Sequence, residues 1–142
     1  MRVLVLFAHP LADSFAAALH RAADAVVLCF PVWWYGMPAI LKGYFDRVWV
    51  NGVAFHLHAG GKIEPGLHRL KKLWVVCTYG APWWLIKLAL RDPVRAVIHT
   101  GICGLCTRHV KSRFFALYGI ESKNSVDTTR FLEKVQRGFA RF

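Results

Sequence analysis

The stretch Phe30 to Trp49, FPVWWYGMPAILKGYFDRVW, holds the end of an apolar strand, an aromatic turn and the start of a helix. Trp33, Trp34 and Tyr35 lie between Pro31 and Pro38. A loop after a strand is ordinarily built from small residues that tolerate unusual dihedrals. Three large rings between two prolines instead fix flat apolar surfaces in a stiff loop, which suits a flat, conjugated ligand. Pro38 is placed to open a helix through about Val48, because its missing N–H costs nothing in a first turn.

Working outward, Arg2 to Phe7, Ala25 to Phe30 and Leu73 to Thr78 are short apolar runs rich in β-branched residues, expected as buried parallel strands. Lys111 to Leu117 alternates charged and apolar residues and fits an edge strand. Ser14 is placed to cap a helix that carries Phe15, Ala18, Leu19 and Ala22 on one face. Pro93 to about Ile102 suits another helix. A last helix is expected from an Asp127 cap to about Phe139, with Val126, Phe131, Leu132, Val135 and Phe139 as its apolar side. Asn51 to His68 reads as a glycine-rich connection, and Tyr79 to Trp84, YGAPWW, as a second stiffened aromatic loop. Strands alternating with helices predict one α/β domain over residues 1–142, a three-layer sandwich around a parallel sheet.

The chain has 142 residues, 56% of them hydrophobic and 14% aromatic, which excludes a disordered chain and supports a real core. No apolar run approaches the ~18 residues that would span a bilayer. The opening MRVLVLFAHP is too short in its apolar part for a signal peptide and is read as the first strand of a cytoplasmic protein. The net charge of +11 is densest in the C-terminal third. It suits a solvated basic surface or the attraction of phosphate-bearing cofactors, and no specific nucleic-acid module is visible. Cys29 and Cys77 fall inside strand-like runs and are expected as buried, inert thiols. His99, Cys103, Cys106 and His109 form a loose HxxxCxxCxxH pattern without a second CxxC, so no metal site is expected.

In open parallel sheets, function belongs to loops at the carboxyl ends of the strands. Three loops hold that position: His9 to Ser14, Pro31 to Gly36, and Thr78 to Trp84. The first leads into a helix start, where backbone N–H groups with His9 and the Ser14 hydroxyl can hold a phosphate. The other two offer backbone amides and aromatic walls. Together they describe a site for a flat ring system attached to phosphate.

HPLADSFAAAL (His9 to Leu19), FPVWWYGMPAILKGYFDRVW and CTYGAPWW (Cys77 to Trp84) resemble the flavodoxin-like NAD(P)H:quinone oxidoreductase family, in its bacterial branch. DPVRAVIHTGICGLC and RFFALYGI continue the likeness through most of the chain. The resemblance implies a flavin, FAD or FMN, a hydride passed from NAD(P)H to a quinone-like acceptor, and a homodimer. It implies a phosphate loop at His9, Ser14 and Phe15. Pro31, Val32, Trp33, Trp34 and Tyr35 would line the ring edge, and Cys77, Thr78, Tyr79 and Gly80 would bond its pyrimidine side. Backbone N–H donors there would favour negative charge on the ring.

The chain departs from the family pattern at several points. Ala16 stands where the family usually has Asn, and Cys77 where Thr is more usual. Trp84 and Leu90 occupy the places of a Tyr and a His over the flavin, so proton management falls to Tyr79 or to water. A strand with its crossover, on the order of 30 residues, is absent between His20 and Ala25. The expected strand order therefore shortens from 2-1-3-4-5 to 1-3-4-5, which leaves the first strand at an edge and sets the first crossover against the right-handed rule. These departures also support an alternative, a non-catalytic member that acts as an ancillary or interaction protein.

Overall fold

The strands predicted from apolar runs pair in parallel, in the shortened order. The computed structural model describes residues 3–6, 23–106 and 109–142. Its main sheet contains β1 (Val3–Leu6), β2 (Ala25–Val32), β5 (Lys72–Tyr79) and β6 (Lys111–Tyr118), side by side in the order β1-β2-β5-β6. β1 and β6 therefore form the two edges. The connection from β1 to β2, with its expected helix and its handedness, lies outside the described residues. β2 runs two residues beyond its predicted end, through Pro31 and Val32.

Helix α1 (Ala39–Val48) follows the aromatic turn, with Pro38 at its N-cap. The segment 51–68, expected as a plain connection, contains a short antiparallel hairpin of β3 (Phe55–Leu57) and β4 (Ile63–Pro65). Three-residue strands are too short to leave a period in the sequence. Gly60 and Gly61, at φ +86° and +80°, turn this hairpin. A helical run, α2, starts at Pro93–Ala96, widens to π-type pairing over Val97–Ile102 and ends at Cys103–Cys106. Helix α3 (Ser125–Phe139) closes the chain. Its cap is Asn124 and not Asp127: the Asn124 Oδ1 accepts from the Asp127 N–H at 2.9 Å. Asp127 instead contributes negative charge to the first turn. Among the described residues, no helix is long and apolar enough to cross a membrane.

Strand side chains alternate between two faces, and each face has its own cover. Val26, Leu28 and Phe30 of β2 pack with Leu41 and Phe45 of α1 and with Val94 and Ile98 of α2. Val27, Trp74 and Phe115 pack on the other side against Phe131, Val135 and Phe139 of α3. Helix, sheet and helix thus make the three predicted layers. Each fully buried Leu, Val or Phe stabilises by about 1.5–3 kcal/mol, so the two covers hold the sheet jointly. Two expectations fail in the α3 layer. Val126 and Leu132 are exposed, because the covering stripe runs through Phe131, Val135 and Phe139 alone. Cys29 is also exposed, although it lies in a central strand between buried neighbours.

The α3 layer sits very close to the sheet at one point. Trp74 meets Phe139 edge-on at 4.9 Å and Phe142 at 4.5 Å. A Cβ at Gly138 would stand 2.3 Å from the Phe115 Cζ. Alanine there would gain helix propensity but drive into a buried ring. Gly138→Ala is expected to lower stability by about 1–3 kcal/mol in urea unfolding, where an exposed helical glycine would gain. A neutral or stabilising result would show that the layers are looser than this packing.

Candidate functional site

The register of the sheet places two turns beside each other. Pro31 pairs with Thr78 and Val32 with Tyr79, and Tyr79 pairs in turn with Tyr118. β2, β5 and β6 therefore end at one level, and the chains leaving them share one rim.

The first turn is tight and strained. The Trp33 N–H donates to the Gly36 carbonyl at 3.2 Å, and the Gly36 N–H donates to the Trp33 carbonyl at 2.9 Å. Between them Trp34 and Tyr35 adopt φ of +50° and +60°. Two left-handed central residues define a type I′ turn, which strongly prefers Asn-Gly. A bulky L-residue in this conformation costs about 1–2 kcal/mol. The strain holds the Trp34 side chain out in the open, 96% exposed, with Trp33 and Tyr35 also exposed beside it.

The second turn leaves β5 through Gly80, Ala81 and Pro82, and Trp83 and Trp84 stand exposed after it. The Gly119 N–H donates to the Ala81 carbonyl at 2.9 Å and ties this turn to the end of β6. Val32, Trp34 and Tyr35 from the first turn, with Tyr79, Gly80, Ala81 and Ile86 from the second region, enclose a hollow of about 220 Å³. Of these, Ala81 and Ile86 had no individual sequence signal. Ile86 enters through a single π-type turn, Leu85–Ala89, which no periodicity marks.

Beneath the rim lies a polar cluster. The Tyr79 side chain is 1% exposed and stacks on Tyr118 at 4.8 Å. Its hydroxyl donates to the Asp92 Oδ1 at 3.2 Å. The other Asp92 oxygen is held by the Lys87 ammonium, and the Asp92 side chain is only 10% exposed. Burial, with the nearby Cys77 and Asp92, holds the Tyr79 phenol far above its ordinary range. Burial pulls the Lys87 ammonium down, but its bond to Asp92 and the carboxylate charge outweigh this and the net shift is upward. Burial also pushes the Cys77 thiol up to about 12, with the Asp92 charge adding to it. A partly buried ion pair of this kind needs partners for its polar atoms, and here each carboxylate oxygen has one.

The structure brings Pro31, Val32, Trp33, Trp34, Tyr35, Thr78, Tyr79 and Gly80 to this rim. Cys77 is there by backbone only, since its side chain is buried in the core. Tyr79, read from the sequence as a proton-handling group, has its hydroxyl buried and given to Asp92, away from solvent. His9, Ser14 and Phe15 lie outside the described residues. His99 is exposed and Cys103 buried, and no group of three or more His, Cys, Asp or Glu side chains gathers among the described residues.

A parallel sheet covered by helices on both faces, with turns meeting at the carboxyl ends of its strands, defines a three-layer α/β domain. Residues 17–137 match the family described as having a flavodoxin-like fold, and the chain belongs to that family. It is similar to an uncharacterized NAD(P)H oxidoreductase of Haemophilus influenzae, 42% identical over 59 residues, which are 42% of this chain and 28% of that one. An FMN-dependent NADH:quinone oxidoreductase of Lachnoclostridium phytofermentans is 49% identical over 50 residues, 35% of this chain and 24% of that one. Among solved structures, Smu.1420 from Streptococcus mutans superposes with a TM-score of 0.80 at 26% identity, over 91% of this chain and 66% of its own. The NAD(P)H:quinone oxidoreductase from Methanothermobacter marburgensis gives 0.70 at 24% identity, over 92% and 66%, a likeness of fold. The matched stretches take in 28% or less of these two curated relatives.

Replacing Trp34 and Tyr35 by Asn and Gly should release the turn strain and raise stability by about 1–2 kcal/mol. Guanidinium unfolding of the double variant checks this. Lower stability would mean that the exposed rings are held by packing and not placed against strain.

Proposed function

We propose that the chain is a flavin-dependent NAD(P)H oxidoreductase which passes a hydride to a quinone-like acceptor. The observation that carries this reading is the type I′ turn of Trp34 and Tyr35. A turn that Asn-Gly would form without strain puts two large aromatic residues, Trp34 and Tyr35, in the lining of a hollow at the sheet rim, with their side chains exposed. Strain of this kind persists where a function needs it. The sequences of relatives named as NAD(P)H and FMN-dependent NADH oxidoreductases support the same class.

The residues present fit a flavin ring. The hollow of about 220 Å³ is walled by Trp34, Tyr35 and Val32 on one side and by Gly80 and Ala81 on the other. Among the described residues, a Cβ at Gly80 would meet only the Glu121 Oε1, at 3.7 Å, so the backbone there is open to approach. When bound, the flavin supplies the ring that takes the hydride from NAD(P)H and returns it to the acceptor.

In this reading the chain's own residues bind and orient. Trp34 and Tyr35, exposed on the turn, would cover the plane of the ring when it binds. The backbone of Thr78, Tyr79 and Gly80 offers N–H donors to its polar edge. Through its bond to Asp92, the Tyr79 hydroxyl acts in positioning: it fixes the end of β5, and proton delivery falls to water at the open side. His9, Ser14 and Phe15 are assigned to the phosphate tail. The charge of +11 favours approach of anionic NAD(P)H, and the subunit is proposed to work as a homodimer. FMN, with the shorter tail, makes the smaller demand on the chain's missing strand.

Absorbance titration of the purified protein with FMN and with FAD tests the reading, followed by anaerobic addition of NADPH. Saturable flavin binding and rapid bleaching are expected. Trp34→Ala should weaken flavin binding roughly 2–10-fold, the effect of losing one aromatic contact of about 0.5–1.5 kcal/mol. No binding of either flavin would reject the proposal. Binding without bleaching would favour the interaction-protein alternative.

A further inference from the structure

A second concavity lies along α2 and the turn before it. It measures about 280 Å³ and is lined by Arg91, Asp92, Arg95, Ala96, His99 and Thr100. Arg95 and His99 lie four positions apart on the helical run, and Arg91 joins them from the turn before it. Arg91 reaches this wall from a left-handed backbone at φ +55°, and Asp92 follows at +52°.

Its chemistry is that of an oxyanion site. Two guanidiniums offer planar pairs of donors, which match the oxygens of a phosphate. The His99 ring and the Thr100 hydroxyl add donors of the same kind. Asp92 is the acid in this wall, and it does not oppose an anion at full strength. One of its oxygens is bonded by the Tyr79 hydroxyl and the other is held by Lys87. The Arg95 guanidinium lies 5.7 Å over the Phe114 ring, which orders it in advance of any ligand.

We infer that the Arg91–Arg95–His99–Thr100 hollow binds a phosphate monoester. Such a group carries close to two negative charges near neutral pH and three acceptor oxygens. The site is also linked to the rim. Tyr79 lines the ring hollow and bonds to Asp92, which walls the phosphate hollow, so the two concavities flank a single pair of side chains. Two sources of the phosphate fit this placement. One is the 2′-phosphate of an NADPH donor, and this arm rests on the function proposed above. The other is a free phosphate or a separate phosphorylated small molecule.

Calorimetric titration at low ionic strength with inorganic phosphate, adenosine 2′-monophosphate and adenosine tests the site, and it needs no flavin. Saturable binding of both phosphates and none of adenosine is expected. Arg91→Gln and Arg95→Gln should each weaken it at least tenfold, whereas Lys134→Gln, an exposed charge on α3, should leave it unchanged. Arg91→Gln leaves the Arg95–Phe114 contact intact, so it remains decisive if Arg95→Gln fails to fold. No saturable heat from either phosphate would overturn the inference, as would equal weakening by Lys134→Gln. A KM that rises for NADPH and not for NADH in Arg91→Gln would assign the phosphate to the donor. Unchanged KM values with lost phosphate affinity would assign it to the second source. A colourless protein that still binds phosphate would refute the ring site alone.

Discussion

The parallel, in-register pairing of β2 with β5 and of β5 with β6 is the constraint on which the site depends. It ends three strands at one level, with Val32 opposite Tyr79 and Tyr79 opposite Tyr118. A two-residue change of register would separate the turns by roughly 6–7 Å along the strands and open the hollow between them. The register is in turn fixed by burial. Leu28, Val75 and the other alternating side chains face one apolar cover, and Val27, Trp74 and Phe115 face another. A slip of one residue would turn every one of these to the wrong side.

On this frame the site combines two kinds of stored cost. Trp34 and Tyr35 hold left-handed dihedrals that bulky residues avoid. Asp92 and Lys87 are drawn partly out of water and answer each other there, with Tyr79 completing the carboxylate. Neither feature is needed to close a sheet. Both lie at the carboxyl end of the same strands, where such folds bind their ligands. The Tyr79–Asp92–Lys87 cluster also joins the rim to the basic hollow on α2, so the end of β5 serves as a wall common to both concavities.

Much of this arrangement was legible in the sequence. The runs AVVLCF and LWVVCT have the length and β-branched content of buried strands, and their alternation with helices predicted the layers. The two aromatic turns were readable because rings and prolines replaced the usual turn residues. Other parts left no local trace. The hairpin at Phe55–Leu57 and Ile63–Pro65 is too short to show a period. Asn124 takes the cap in place of the expected Asp127 because its side chain reaches the Asp127 N–H, a contact that spacing does not show. The exposure of Val126, Leu132 and Cys29 depends on what covers each face in three dimensions. Tyr79 stands as a proton-handling candidate in the sequence, which does not reveal that Asp92, thirteen positions on, accepts from its hydroxyl.

The most direct measurement is an amide and indole ¹H–¹⁵N spectrum of the folded protein recorded with and without FMN. Trp33, Trp34, Trp83 and Trp84 stand on the rim, whereas Trp74 packs under α3 on the opposite face of the sheet. Shifts in the rim indoles, with the Trp74 signal unmoved, are the expected result. Rim signals that stay in place at saturating FMN would contradict a ring site formed by these two turns.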